Sequence, residues 1–208
     1  MSRAISAFVV VGLISTGCVP VTEPVGDIDK AEPNKDFIGS WLDQEQEPRQ
    51  WVVDHPEVKG NPKGLMRVRV LEKGKKLEDL KPKDALWFFT ASAGKHAYAN
   101  MLVVSNKPKK VDWEPDFARE GEYAAWAGHP QRGYWVAHLA IRGPVVTIDY
   151  GNLEAFRALM KKENFMELGE FYKTTPGWLT RYLEKNDPTG IFDSGKGTQT
   201  LIRKNEKK

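Results

Sequence analysis

Between Tyr134 and Asp149, apolar and polar residues alternate in two short runs separated by Arg142-Gly143, with Pro144 just beyond. Alternation on both sides of a glycine turn predicts a β-hairpin. Trp135, Ala137, Leu139 and Ile141 fall on one face, joined from the second arm by Val146, Ile148 and Tyr150. The opposite face carries Tyr134, Val136, His138, Ala140 and Arg142, with Val145, Thr147 and Asp149. Successive side chains of a strand point to opposite sides, so this hairpin has one apolar side and one half-polar side.

The same period recurs upstream. Phe37–Leu42, Gln50–Asp54 and Leu65–Leu71 read as strands, the last two separated by the turn Gly60–Gly64. Glu72–Asp84 is charged and reads as a solvated loop or short helix. Ala85–Ala91, the turn Ser92-Ala93-Gly94 and His96–Ser105 give the strongest strand pair, and Tyr123–Ala127 reads as a further strand after a proline-broken loop. Beyond the hairpin the period changes to 3.6. Asn152 caps a helix with Leu153, Phe156, Leu159 and Met160 on one face; Thr175 and Pro176 open a second, striped by Trp178, Leu179, Tyr182 and Leu183. Thr198–Arg203 is a terminal strand. The inventory is mainly β with two late helices (α+β). Many short strands joined by Gly/Pro turns predict an antiparallel barrel or, alternatively, a β-sandwich, closure being one way to remove exposed edges.

The N-terminus has a different pattern. After Arg3, the eleven residues Ala4–Ile14 are uncharged and mostly apolar, enough helix to span about half of a ~30 Å hydrocarbon core. That length suits a signal peptide, here residues 1–17. Ser15-Thr16-Gly17-Cys18 follows at once, and Cys18 is the sole cysteine in the chain. An apolar run, small residues and then cysteine resembles the lipobox of bacterial lipoproteins. The resemblance implies cleavage before Cys18, its acylation with palmitate-class chains, and anchoring to membrane lipid. Val19 follows where an aspartate would favour inner-membrane retention, so the implied location is the outer membrane, facing the periplasm. Residues 18–35 contain prolines and acids without periodicity and read as a flexible tether of up to ~50 Å. Residues 36–208 form the single β-rich domain.

Composition narrows the function. With 40% apolar and 11% aromatic residues the chain is globular, and a net charge of +3, evenly spread, does not suggest nucleic acid as a partner. His55, His96, His129 and His138 show neither i,i+2 nor i,i+4 spacing, so neither a metal nor another cofactor is expected. Asp112, Glu114 and Asp116 alternate but lack the glycine and distant glutamate of a calcium loop. No G-x-S-x-G or other nucleophile motif occurs, which leans against an enzyme and leaves open only a site assembled from distant strands.

Gly39-Ser40-Trp41 resembles the G-x-W motif that opens lipocalin and other calycin barrels. In that family an arginine of the last strand lies over the tryptophan; the resemblance assigns that role to Arg203, making Trp41 and Arg203 a barrel-closing pair. The layout from residue 37 to 203 also resembles uncharacterised bacterial lipoproteins, with an Ile191-Phe192-Asp193 segment and a final Leu201–Arg203 strand. If the faces carrying His96, Tyr98, Asn100, His138 and Arg142 line a barrel interior, they would orient the polar end of a small apolar or amphipathic ligand. The alternative is a non-enzymatic lipoprotein that docks on another envelope protein and holds no ligand.

Overall fold

The computed structural model describes residues 18–81, 84–105, 113–192 and 198–204. Its strands are β1 (Val19–Val21), β2 (Gly39–Asp43), β3 (Gln50–Asp54), β4 (Met66–Leu71), β5 (Ala85–Ala93), β6 (His96–Val104), β7 (Arg132–Arg142), β8 (Val145–Asp149), β9 (Met166–Leu168), β10 (Phe171–Lys173) and β11 (Thr198–Arg203). Its α-helices are α1 (Glu122–Ala127), α2 (Leu153–Lys162), α3 (Trp178–Lys185) and α4 (Thr189–Phe192).

β2 to β8 follow one another as antiparallel neighbours, and β11 lies between β8 and β2. The ring closes there, giving an eight-stranded antiparallel barrel of calycin-like plan rather than a sandwich. The hairpin register places Leu139 opposite Ile148 and Ile141 opposite Val146, across a turn in which Gly143 has φ +59°. Glycine enters that left-handed region without the strain most side chains meet there.

The inward residues are Trp41, Trp51, Val53, Met66, Val68, Val70, Phe88, Met101, Ala137, Leu139, Val146, Ile148 and Leu201, all buried. An eight-stranded barrel is just wide enough for its own side chains to fill. Phe37 packs edge-on against both Trp41 and Phe88, with ring centroids 6.0 and 5.6 Å apart. On the outside of β3 and β4, Arg67 and Arg69 share Asp54 at 2.7 and 2.6 Å, as expected of a wall facing water.

The outside of β5, β6 and β7 is different. Trp87, Phe89, Tyr98, Leu102, Tyr134 and Val136 point outward and are buried in a second core. The cover consists of Phe117, Trp126 of α1, Phe156 and Met160 of α2, Tyr172 of β10, Leu179 and Leu183 of α3, and Ile191 and Phe192 of α4. Burial on both faces explains why Ala85–Ala91 reads as a nearly unbroken apolar run, whereas β4 alternates.

Three expectations are corrected. Residues 18–35 are not an extended tether: Val19–Val21 pair with Tyr134–Val136 of β7, and Val21, Val25 and Ile28 are buried in the second core. Three residues are too few for a periodicity signal, and partnership with β7 supplies what local pattern does not. Tyr123–Ala127 is not a strand but lies in α1, because Trp126 has to turn inward to bury its ring and reach the Val103 carbonyl with its Nε1–H at 3.0 Å. The second late helix starts at Trp178, after Gly177 at φ +69°, and not at Pro176. The cap foreseen at Asn152 is present, its side chain accepting from Ala155 N at 3.1 Å.

Candidate functional site

The outward face of β6, β7 and β8 carries a chain of polar side chains. Tyr98 lies directly opposite His138 across the β6–β7 ladder, and His138 directly opposite Asp149 across β7–β8. His96, two residues before Tyr98, is therefore a diagonal neighbour of His138 and within reach of it. His138 Nδ1 is 3.0 Å from Asp149 Oδ2, and His138 Nε2 is 3.2 Å from His96 Nδ1. Thr198, on β11, donates its hydroxyl to the other Asp149 oxygen at 2.8 Å. A carboxylate only accepts, so His138 carries its proton on Nδ1 and presents the Nε2 lone pair to His96.

The cluster is partly sheltered. The His138 side chain is 16% exposed and Asp149 25%. Phe192 of α4 packs against Tyr98 and His138, with ring centroids 5.5 and 6.3 Å away. The Tyr98 hydroxyl is buried with no hydrogen-bond partner among the described residues, and burial, with a smaller contribution from Asp187, raises its pKa well above the usual phenol range. The Asp187 carboxyl is held below its ordinary value, first by the Thr189 backbone N–H and also by His96.

The residues expected to share a pocket are thus divided. His96, Tyr98 and His138 come together, but on the outside of the barrel. Asn100 points the same way and is fully buried beneath the N-terminal arm: it accepts from Val25 N at 2.8 Å and donates to Val25 O at 3.1 Å. Arg142 is exposed at the hairpin corner, where its strand pairs with Val145, and takes no part. Asp149 and Thr198 were absent from the expected set. The turn is centred on Gly143-Pro144 and sets His138 against Asp149, whereas a turn at Arg142-Gly143 would set His138 against Thr147. Of the acidic alternation, Asp112 lies outside the described residues and Asp116 pairs with Arg119 at 3.1 Å.

At one end of the barrel the Arg203 guanidinium lies 4.5 Å from the Trp41 ring centroid, while the indole Nε1–H donates to Phe37 O at 2.8 Å. At the other end, Asp43, 1% exposed, accepts from Arg49 Nε at 2.8 Å and from Trp51 Nε1 at 3.3 Å. Gln199 joins it, and Tyr150 donates its hydroxyl to Gln199 Oε1 at 2.9 Å. Cys18 is buried at this end, within electrostatic reach of Tyr150, and burial pushes its thiol far above the ordinary range. A shallow groove of about 340 Å³, open to solvent, lies outside the barrel between Thr22-Glu23, Ala127–Pro130 and Arg132.

Comparison of the chain with family models, with curated proteins and with solved structures gives no match.

Proposed function

We propose that this chain is a bacterial envelope lipoprotein, anchored through an acylated Cys18, whose barrel docks on another envelope component and does not carry a ligand in its interior. The observation that supports a docking role is the filling of the barrel. Trp41, Trp51, Met66, Phe88, Met101 and Leu139 occupy the space a carrier would keep for its cargo. The face carrying His96, Tyr98, Asn100 and His138 lies on the other side of the wall, largely under a second core.

A surface suited to docking is present at the end of the sheet. β9 pairs with β10 on one edge only among the described residues, and it exposes Met166 (66%) and Leu168 (45%). An unpaired edge with apolar side chains accepts an added strand or an apolar patch. Anchoring is supported by the sequence of residues 4–18 alone. Because β1 begins at Val19, lipid on Cys18 would hold the barrel directly against the bilayer, with the cysteine side chain turned out of the wall it occupies as a free thiol.

The test has three arms. Labelled palmitate is expected in the wild-type chain and not in Cys18→Ser; a chain without label would overturn the anchor. Native mass spectrometry of protein purified from a periplasm is expected to return the bare mass, and a stoichiometric small molecule would restore the carrier reading. A photo-crosslinker at position 166 or 168 is expected to capture one envelope protein in living cells, where the same probe at exposed Lys59 captures none.

A further inference from the structure

The His96–His138 pair has an arrangement that docking does not explain. Two imidazole nitrogens face each other at 3.2 Å, one of them with its lone pair fixed inward by a carboxylate on the far side of the ring. Hydrogen bonding to a carboxylate through the other ring nitrogen is how metal-ligating histidines are usually oriented and made more basic. Two nitrogens each about 2.0–2.1 Å from one tetrahedral zinc stand about 3.3–3.4 Å apart, so the pair is already spaced to share an ion.

We propose that His96 Nδ1 and His138 Nε2 chelate a zinc-class divalent transition-metal ion on the outer face of the barrel, with Asp149 as the positioning carboxylate. In the metal-free chain His96 donates its Nδ1–H to His138 Nε2. On binding, His96 shifts to its Nε2–H tautomer and turns the Nδ1 lone pair to the ion, so neither ring gains or loses a proton. No third His, Cys, Asp or Glu joins them among the described residues, which leaves the remaining positions to water or an external ligand. Two further features favour a cation there. Asp187 interacts electrostatically with His96, adding negative field, and the Tyr98 hydroxyl is a buried polar group beside His138 with no hydrogen-bond partner among the described residues. Sequence spacing does not reveal this site, because the two histidines sit 42 residues apart and meet only across the β6–β7 ladder.

The experiment is calorimetric titration of the chelator-treated full chain with zinc chloride. One equivalent is expected to bind. His96→Gln and His138→Gln are each expected to weaken binding at least tenfold, and Asp149→Asn by about 10–100-fold, the range for loss of an outer-sphere carboxylate. His129→Gln, outside the cluster, is expected to bind as wild type does. Absence of binding, or binding by both cluster histidine variants as tight as that of wild type, overturns the proposal. The wild-type chain gives a second readout independent of the folding of any variant: zinc is expected to shift the ring resonances of His96 and His138 and leave those of His55 and His129 in place. The opposite pattern would equally overturn it.

Discussion

Asn100 holds both backbone polar groups of Val25, accepting from its N–H at 2.8 Å and donating to its carbonyl at 3.1 Å, with no solvent on either side. Seventy-five residues of chain separate the two, so this is a tertiary clamp fixing the N-terminal arm over β6. Asn100→Ala strands a donor and an acceptor in a dry place and is expected to cost on the order of 2–3 kcal/mol. Urea unfolding should show a lower midpoint with little change in slope. A shift under about 0.5 kcal/mol would mean that the pairing of β1 with β7 and the burial of Val21, Val25 and Ile28 hold the arm without the Asn100 clamp.

Arg203 and Trp41 make a second long-range contact, at 4.5 Å, between the last strand and the first strand of the barrel. Trp41 is fully buried and fills the barrel, so Trp41→Ala is expected to cost about 3–5 kcal/mol. Arg203→Ala removes the cation over the ring, worth about 0.5–2 kcal/mol, together with the hydrogen bond its guanidinium donates to the Asp36 carbonyl. A double-mutant cycle separates the two, and a coupling near zero would reduce Arg203 to a neighbour without energetic consequence.

How far the sequence carries the fold depends on how local the cause is. The faces of the β7–β8 hairpin are legible from its alternation, but its register is not: the turn lies at Gly143-Pro144, one residue beyond Arg142-Gly143, so that Arg142 pairs with Val145. Trp41 and Arg203 are suggested by a three-residue motif and a strand position, and they meet. The faces of β5 and β6 are harder to read, since their runs are apolar on both sides and period 2 disappears when both sides are buried. β1 is not legible at all: Val19-Pro20-Val21 has no pattern of its own and becomes a strand only beside Tyr134–Val136. The same holds for the site. His138 and Asp149 share one hairpin, whereas His96 needs the β6–β7 pairing, which no local residue dictates.

Gly133 and Gly143 are expected to resist substitution for different reasons. A Cβ at Gly133 would lie 2.8 Å from ring atoms of Phe171, which is 2% exposed and has no room to move. Gly133→Ala is therefore expected to cost about 1–3 kcal/mol through overpacking between β7 and β10. A Cβ at Gly143 meets nothing within 4 Å, but φ there is +59°. Gly143→Ala is expected to cost about 1–2 kcal/mol through backbone strain alone. Gly143→Asn, which tolerates that conformation, should recover part of the loss, and no conservative replacement should rescue Gly133. Thermal denaturation of the three variants decides both statements.

Alkaline pH is expected to unfold the domain through its buried phenols. Tyr98, Tyr134 and Tyr150 all have pKa values raised above the ordinary 10.0, in each case chiefly because burial disfavours the phenolate. A tyrosine raised in the folded state supports folding fully below its unfolded pKa. Above about pH 10 the unfolded chain loses those protons first and binds fewer than the folded one, so the free energy of unfolding falls as pH rises. Urea midpoints should accordingly be level to about pH 9 and decline steeply beyond it. Tyr150→Phe loses the hydrogen bond to Gln199 Oε1 and is expected to be about 1 kcal/mol less stable at neutral pH. Its decline at high pH should be shallower, because one of the protons held by burial is no longer at stake. A Tyr150→Phe curve running parallel to wild type through the alkaline limb would show that this hydroxyl is ionised as readily in the folded barrel as in the unfolded chain.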